Sequence, residues 1–91
     1  HRVVFLKAKV LHRDLSLANI MFRRDKKKHP SGILNDWDLG EVVSANPEDY
    51  IATSRHSTGT LPFMAMELLS EEPPVHIYRH DLESFFWILM W

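Results

Sequence analysis

Two short apolar runs, residues 20–22 and 33–34, flank a charged connection that contains Pro and Gly. Short apolar segments on either side of a polar turn predict a β-hairpin with a long solvated turn. The two ends of a hairpin lie side by side, so we expect the strand–turn–strand between Asn19 and Asp36 to bring these two polar side chains together. The sequence therefore predicts one polar site at the open end of this hairpin.

The rest of the chain predicts few regular elements. The apolar-rich stretch 3–11 predicts the end of a helix that runs into an extended segment. Residues 40–61 hold many Ser, Thr, Asn, Pro and Asp and predict a long loop, whereas 64–69 predicts a short helix. Asp81 is a suitable N-cap for a helix that begins at Leu82. The apolar residues of that helix are expected to form a core face: Phe85, Phe86, Trp87, Leu89 and Trp91.

Composition narrows the class of protein. Lys and Arg total 11 against 12 for Asp and Glu, so charge gives no reason to expect nucleic acid or an anionic membrane as a partner. Hydrophobic residues make up 45%, which excludes a disordered or collagen-like chain. Cys is absent, which fits a reducing compartment and an intracellular location, cytoplasmic or nuclear. The Lys run 26–28 is expected to be a solvated turn, with a docking patch as the alternative.

Four short motifs follow one another along the chain. His-Arg-Asp at 12–14 is followed, after four further residues, by Asn19, which is the pattern of a protein kinase catalytic loop. Asp-Trp-Asp at 36–38 stands at the end of the predicted hairpin, where kinases place Asp-Phe-Gly. Residues 59–67 resemble the Gly-Thr and Ala-Pro-Glu stretch that closes a kinase activation segment. Residues 79–85 resemble the start of a buried helix that holds the catalytic loop.

These motifs make the chain resemble a protein kinase catalytic domain over essentially its whole length. Asp-Trp-Asp, Ser16 and the sequence His-Asp-Leu-Glu-Ser are most similar to the fungal-specific protein kinase family. The resemblance implies an α+β fold in which 1–91 is part of a kinase C-lobe. Its parts would be a catalytic loop at 12–19, the hairpin, an activation segment at 36–67 and the start of a buried helix at 81–91.

The expected domain is incomplete. The chain begins at His1 rather than Met and stops inside an apolar run, so we expect both ends to be cuts in a longer protein. The 91 residues also contain no glycine-rich loop and no Val-Ala-Ile-Lys strand. The resemblance therefore implies that the N-lobe and the remaining C-lobe belong to the parent chain, and that this segment alone is inactive.

For the parent, the resemblance implies ATP- and Mg²⁺-dependent phosphoryl transfer to Ser or Thr of a protein substrate. Asp14 would orient the substrate hydroxyl and accept its proton. Asp36 would chelate the Mg²⁺ ions that bridge the ATP phosphates, and Asn19 would hold the second ion through its amide oxygen.

Five further residues would support this site. His12 is expected to be a core histidine that braces the loop, Thr60 to hydrogen-bond near Asp14, and Asp81 to accept hydrogen bonds from the catalytic-loop backbone. Glu67 would form a buried ion pair with an Arg beyond the end of this chain. Arg13 would pair with a phosphorylated residue of the activation segment, and the candidates are Thr53, Ser54, Ser57 and Thr58.

The sequence also departs from the usual kinase pattern. Ser16 stands where most serine/threonine kinases carry a Lys, and Met66 replaces the Pro of Ala-Pro-Glu. Asp38 replaces the Gly of Asp-Phe-Gly, and it either adds a metal contact or is a structural or solvated carboxylate.

The other histidines lack the paired spacing of metal ligands and are expected at the surface or in turns: His29, His56, His76 and His80.

Two rival functions stay open at this point, beside a third interpretation in which the segment is a truncated product with no stable function. A pseudokinase or scaffold would keep the fold for binding, and the departures at Ser16 and Asp38 leave room for this. A small-molecule phosphotransferase of the choline-kinase or aminoglycoside-kinase type would share the Asp, Asn and Mg²⁺ chemistry. Enzymes of that type lack an activation segment like 59–67, which argues against the second rival.

Overall fold

The computed structural model describes residues 1–43 and 59–91. Within these ranges the protein has two α-helices and two antiparallel two-stranded sheets, which confirms the α+β class. The helices and strands are α1 (Arg2–Ala8), β1 (Val10–Leu11), β2 (Ile20–Arg24), β3 (Pro30–Leu34), β4 (Glu41–Val42) and α2 (Tyr78–Met90). Short 3₁₀ turns cover Leu17–Asn19, Leu61–Phe63 and Met66–Leu69, the last of them where a short helix was predicted.

The predicted hairpin is formed by β2 and β3, with Ile20 opposite Leu34 at its open end. At the closed end, the Asp25 carboxylate accepts hydrogen bonds from the backbone N–H groups of Lys27 and His29, at 2.8 and 2.9 Å. A side chain that bonds its own turn in this way fixes the turn without help from the core. The turn is exposed, so the prediction of a solvated hairpin turn is confirmed.

The second sheet joins the segment before the catalytic-loop motif to the segment after the hairpin. Leu11 of β1 lies opposite Glu41 of β4, and the N–H of Val43 donates to the carbonyl of Lys9 at 2.7 Å. The predicted change from helix to extended backbone is confirmed, and it occurs at Lys9, which is left-handed with φ of 55°. The prediction of a loop throughout 40–61 is wrong at β4, because the backbone groups of β1 take it as a partner. Most of that predicted loop, 44–58, lies outside the described residues.

Helix α2 begins at Tyr78, earlier than predicted, and Asp81 lies in its first turn. The predicted N-cap at Asp81 is wrong because its carboxylate accepts the backbone N–H groups of His12 and Arg13 instead. The N–H of Ile77, at the start of the helix, donates to Nδ1 of His80 at 3.1 Å.

The core is small. One cluster contains Leu15, Phe63 and Ile88, with Leu34, Phe85 and Trp87 packed against it. A second contains Met64, Ala65 and Leu68. The predicted core face of α2 is wrong for three residues that are more than half exposed, since only one stripe of a helix faces the core: Phe86, Leu89 and Trp91. No helix of the described residues is long and apolar enough to cross a membrane.

Gly40 sits where the chain enters β4, and a side chain there has no room. An added Cβ would lie 2.8 Å from the carbonyl oxygen of Trp37 and 3.3 Å from that of Leu11, both of which are backbone atoms.

We expect Gly40→Ala to destabilise the intact protein by roughly 1–3 kcal/mol, the usual cost of overpacking, measured by urea unfolding. Gly32→Ala is the matched control because nothing lies within 4 Å of its added Cβ. Equal effects of the two substitutions would contradict this account of the turn.

Candidate active site

Asp14 is held from three sides. Its Oδ1 accepts a hydrogen bond from the Thr60 hydroxyl at 2.7 Å, its carbonyl accepts one from the Asn19 amide at 2.9 Å, and its N–H donates to Nδ1 of His12 at 3.3 Å. The carboxylate is partly exposed, so it can meet a ligand. The two backbone bonds thus fix the position of Asp14 in the loop, and the bond from Thr60 orients its carboxylate.

His12 connects this loop to the residues that follow β3 at the open end of the hairpin. The side chain is fully buried, as expected for a core histidine, and its Nε2 lies 2.9 Å from the carbonyl oxygen of Asn35. Because Nδ1 accepts the N–H of Asp14, Nε2 must carry the proton and donate to this carbonyl. The ring also packs edge to face on Trp37, with ring centres 4.6 Å apart. His12 therefore braces Asp14 against the residues on either side of Asp36.

One backbone hydrogen bond joins Asn35, the residue before Asp36, to Asn19. The N–H of Asn35 donates to the carbonyl of Asn19 at 2.8 Å, which continues the hairpin ladder by one step. Asp36 itself is exposed and left-handed, with φ of 58°, a conformation that Asp tolerates better than most residues. The indole N–H of Trp37 donates to the carbonyl of Leu34 at 3.0 Å and holds the chain on the other side.

The polar groups at the open end of the hairpin are oxygen donors, the ligand type that Mg²⁺ prefers. The amide nitrogen of Asn19 is bonded to the Asp14 carbonyl, so the amide oxygen is the atom left for other ligands. Together with the exposed carboxylate of Asp36 it offers two hard oxygen donors, and Mg²⁺ is usually held by one or two such groups plus substrate phosphates. Within 1–43 and 59–91, no three His, Asp or Glu side chains form a metal site on their own.

Asp81 is almost fully buried, with 1% of its surface exposed, and its carboxylate accepts four hydrogen bonds. Two come from the backbone N–H groups of His12, at 2.8 Å, and Arg13, at 3.2 Å. The other two come from ring nitrogens of His1 and His76, each at 2.7 Å. A buried carboxylate is costly unless it is bonded in this way, so Asp81 ties α2 to the start of the loop 12–19.

The predicted surface or turn positions of the histidines hold for some of them and not for others. His29 is exposed, as predicted, whereas His76 and His80 are buried at 7% and 1% exposure, so the prediction of surface or turn positions is wrong for both. The reason is that each ring bonds a carboxylate, His76 to Asp81 and His80 to Glu67. His56 lies outside the described residues.

Arg13 pairs with Glu41 in the structure. Its Nη1 lies 2.6 Å from Oε2 of Glu41, and only 11% and 19% of the two side chains are exposed. Sequence reasoning missed Glu41 because no local pattern marks it; the pairing of β1 with β4 brings it beside the loop. The four candidate phosphorylation positions all lie outside the described residues.

Glu67 is half exposed rather than buried, and it already has two partners in this chain. Its Oε2 lies 2.5 Å from a guanidinium nitrogen of Arg79 and 3.0 Å from Nε2 of His80. The hydrogen bond from His80, followed by that from Arg79, lowers the pKa of Glu67 below its usual value. A further Arg from beyond the chain end stays a prediction.

Two of the departures from the kinase pattern have clear surroundings. Ser16 is buried at 4% exposure and its carbonyl accepts the N–H of Asn19 at 3.1 Å, so it serves the turn that carries Asn19. Asp38 is exposed, which favours the solvated carboxylate of the two alternatives.

The whole chain, residues 1–91, matches the family described as fungal protein kinase. A match over the full length shows the family, so this chain belongs to the fungal protein kinases. A comparison with curated proteins found no match. Membership assigns the chain to a family of kinases, which are transferases, and in general terms implies ATP, Mg²⁺ and a protein substrate.

Asp81→Asn tests the anchor between α2 and the loop. Asn would turn an N–H donor toward groups that themselves donate, and it would remove the charge that the four bonds stabilise. We expect the intact protein to lose about 3 kcal/mol or more of unfolding free energy, as for other broken buried charge networks. Asp38→Asn makes the same chemical change at an exposed position and should alter stability by less than about 0.5 kcal/mol. Similar losses in both variants would refute the anchor role.

Glu67→Gln tests the surface ion pair through its pH dependence. A carboxylate with a lowered folded-state pKa stabilises the fold above its unfolded pKa and loses that contribution as pH falls through the folded pKa. We expect a small gap in unfolding temperature between wild type and Glu67→Gln at neutral pH. The gap should close as the pH drops below the usual glutamate pKa of about 4.3. A gap that persists in acid would count against the ion pair, and Glu72→Gln is the exposed control.

Proposed function

We propose that the chain supplies the catalytic loop and metal-binding residues of an ATP- and Mg²⁺-dependent protein kinase that phosphorylates Ser or Thr. The observation that carries this proposal is the orientation of Asp14, whose carboxylate accepts the Thr60 hydroxyl and whose backbone carbonyl accepts the side-chain amide of Asn19. Phosphoryl transfer needs positioned groups more than covalent chemistry from the protein, and this arrangement consists of positioned groups.

The chain would form part of a kinase C-lobe. The sequence contains no glycine-rich loop and no Val-Ala-Ile-Lys strand, so the remaining contacts to ATP would come from residues outside these 91. The segment tested alone is therefore expected to transfer no phosphate.

Asp14 would act on the substrate hydroxyl. Oδ1 takes the Thr60 hydrogen bond, and among the described residues Oδ2 takes none, so Oδ2 would accept the proton of the incoming Ser or Thr. A base held in one orientation loses no freedom when the substrate binds, which lowers the barrier to transfer.

Asp36 and Asn19 would hold the metal. When bound, Mg²⁺ would neutralise charge on the phosphoryl group in transfer. The exposed carboxylate of Asp36 is accessible to an ion with its water ligands, and the hydrogen bond from Asn35 to Asn19 joins the two backbone segments that carry these donors.

The test is transfer of labelled terminal phosphate from Mg-ATP to generic protein substrates by the full-length parent. Removing the base by Asp14→Asn should lower kcat by roughly 10²- to 10⁴-fold, the usual contribution of general base catalysis. Glu72→Gln, which alters an exposed carboxylate far from the loop in sequence, should keep the wild-type rate. Analysis of the labelled residue distinguishes Ser and Thr from Tyr.

Other outcomes point to the rival functions. A well-folded parent that transfers no phosphate to any protein would contradict the proposal and favour a scaffold or a small-molecule phosphotransferase. Binding of Mg-ATP by such a parent would favour the small-molecule enzyme, and its absence would favour the scaffold.

A further inference from the structure

The ion pair between Arg13 and Glu41 lies directly beside the proposed base. Arg13 precedes Asp14, and its guanidinium is almost enclosed, with 11% of the side chain exposed. A cation in such a place needs a bonded anion, because an uncompensated buried charge is strongly destabilising. The Glu41 carboxylate, itself mostly buried and 2.6 Å away, is an anion of this kind.

The backbone of Arg13 is held as firmly as its side chain. Its φ of 69° is left-handed, a conformation that costs free energy for any residue other than Gly and persists only where the surroundings impose it. Its N–H donates to Asp81, and Gly59 packs closely on its carbonyl oxygen, 3.2 Å from where a Cβ would stand. The bond to Glu41 fixes the side chain as well.

Glu41 is also tied to the metal-binding end of the hairpin. It follows Gly40, whose N–H donates to the carbonyl of Trp37 at 2.8 Å, and it pairs with Leu11 across the β1–β4 sheet. One carboxylate thus joins the strand that leaves Asp36 to the loop that carries Asp14. A shift of Glu41 would alter both proposed catalytic groups relative to each other.

We propose that Glu41 is a positioning residue for Asp14. Its unmodified carboxylate supplies to Arg13 the negative charge that a phosphorylated residue of the activation segment would otherwise supply. The order of the catalytic loop then does not depend on phosphorylation of that segment. This inference rests on the proposed kinase function.

The first test compares Glu41→Gln with Glu41→Asp in the full-length parent. Gln keeps the length and loses the charge, whereas Asp keeps the charge, so the pair separates an electrostatic role from packing. We expect Gln to lower kcat roughly 10- to 100-fold, the size of effect that misplacement of a catalytic group produces, and Asp to restore most of the rate. Wild-type activity in Glu41→Gln, or an Asp variant no better than Gln, would overturn the inference.

The second test concerns phosphate. Replacing Thr53, Ser54, Ser57 and Thr58 together by Ala should leave the rate of the parent within a few-fold of wild type. A fall of this fourfold variant to the rate of Asp14→Asn would overturn the inference.

A third readout needs no catalytic activity, so it separates failure of this inference from failure of the proposed function. Hydrogen exchange of the amides of 12–19 is measured in parent protein treated with a phosphatase. We expect these amides to be protected in wild type and Glu41→Asp and to exchange faster in Glu41→Gln, while the exposed control Glu72→Gln stays protected. Fast exchange in the dephosphorylated wild type would contradict the role given to Glu41.

Discussion

The buried carboxylate of Asp81 is the interaction on which the rest of the site depends. It accepts hydrogen bonds from the backbone N–H groups of His12 and Arg13, which holds them against the first turn of α2. It also accepts hydrogen bonds from the rings of His1 and His76. The loop that follows carries few core side chains of its own, apart from Leu15. Its conformation is therefore set by hydrogen bonds to a charge that water does not reach, and such bonds are stronger than those between neutral groups.

From this anchor the loop is extended by a chain of directional contacts. His12 bonds both the N–H of Asp14 and the carbonyl of Asn35. The side-chain amide of Asn19 bonds the carbonyl of Asp14, and the hairpin brings Asn35 back to the backbone of Asn19. Each contact fixes a polar atom rather than filling a cavity. The proposed kinase chemistry needs this kind of order, since a base and metal ligands act only when their oxygens point in set directions.

The parts of this structure that sequence could predict are the local ones. The hairpin, its solvated turn and the passage from α1 to β1 follow from neighbouring residues, and the order of the four motifs identified the family. The start of α2 was misread because Asp81 has the chemistry of an N-cap, whereas its carboxylate is used by residues 68 and 69 positions earlier. Glu41 and the ring of His76 were missed for the same reason. Their partners are chosen by tertiary packing, which no short pattern records.

We propose above that Asp14, Asn19 and Asp36 form one phosphoryl-transfer site on this chain. A crystal structure of the full-length protein with Mg²⁺ and a non-hydrolysable ATP analogue would locate the metal and the phosphates relative to these residues. We expect metal density bonded to the Asp36 carboxylate and the Asn19 amide oxygen, with the Asp14 carboxylate facing the terminal phosphate and still bonded to Thr60. Nucleotide and metal bound elsewhere, with this end of the hairpin in contact only with solvent, would contradict the proposal.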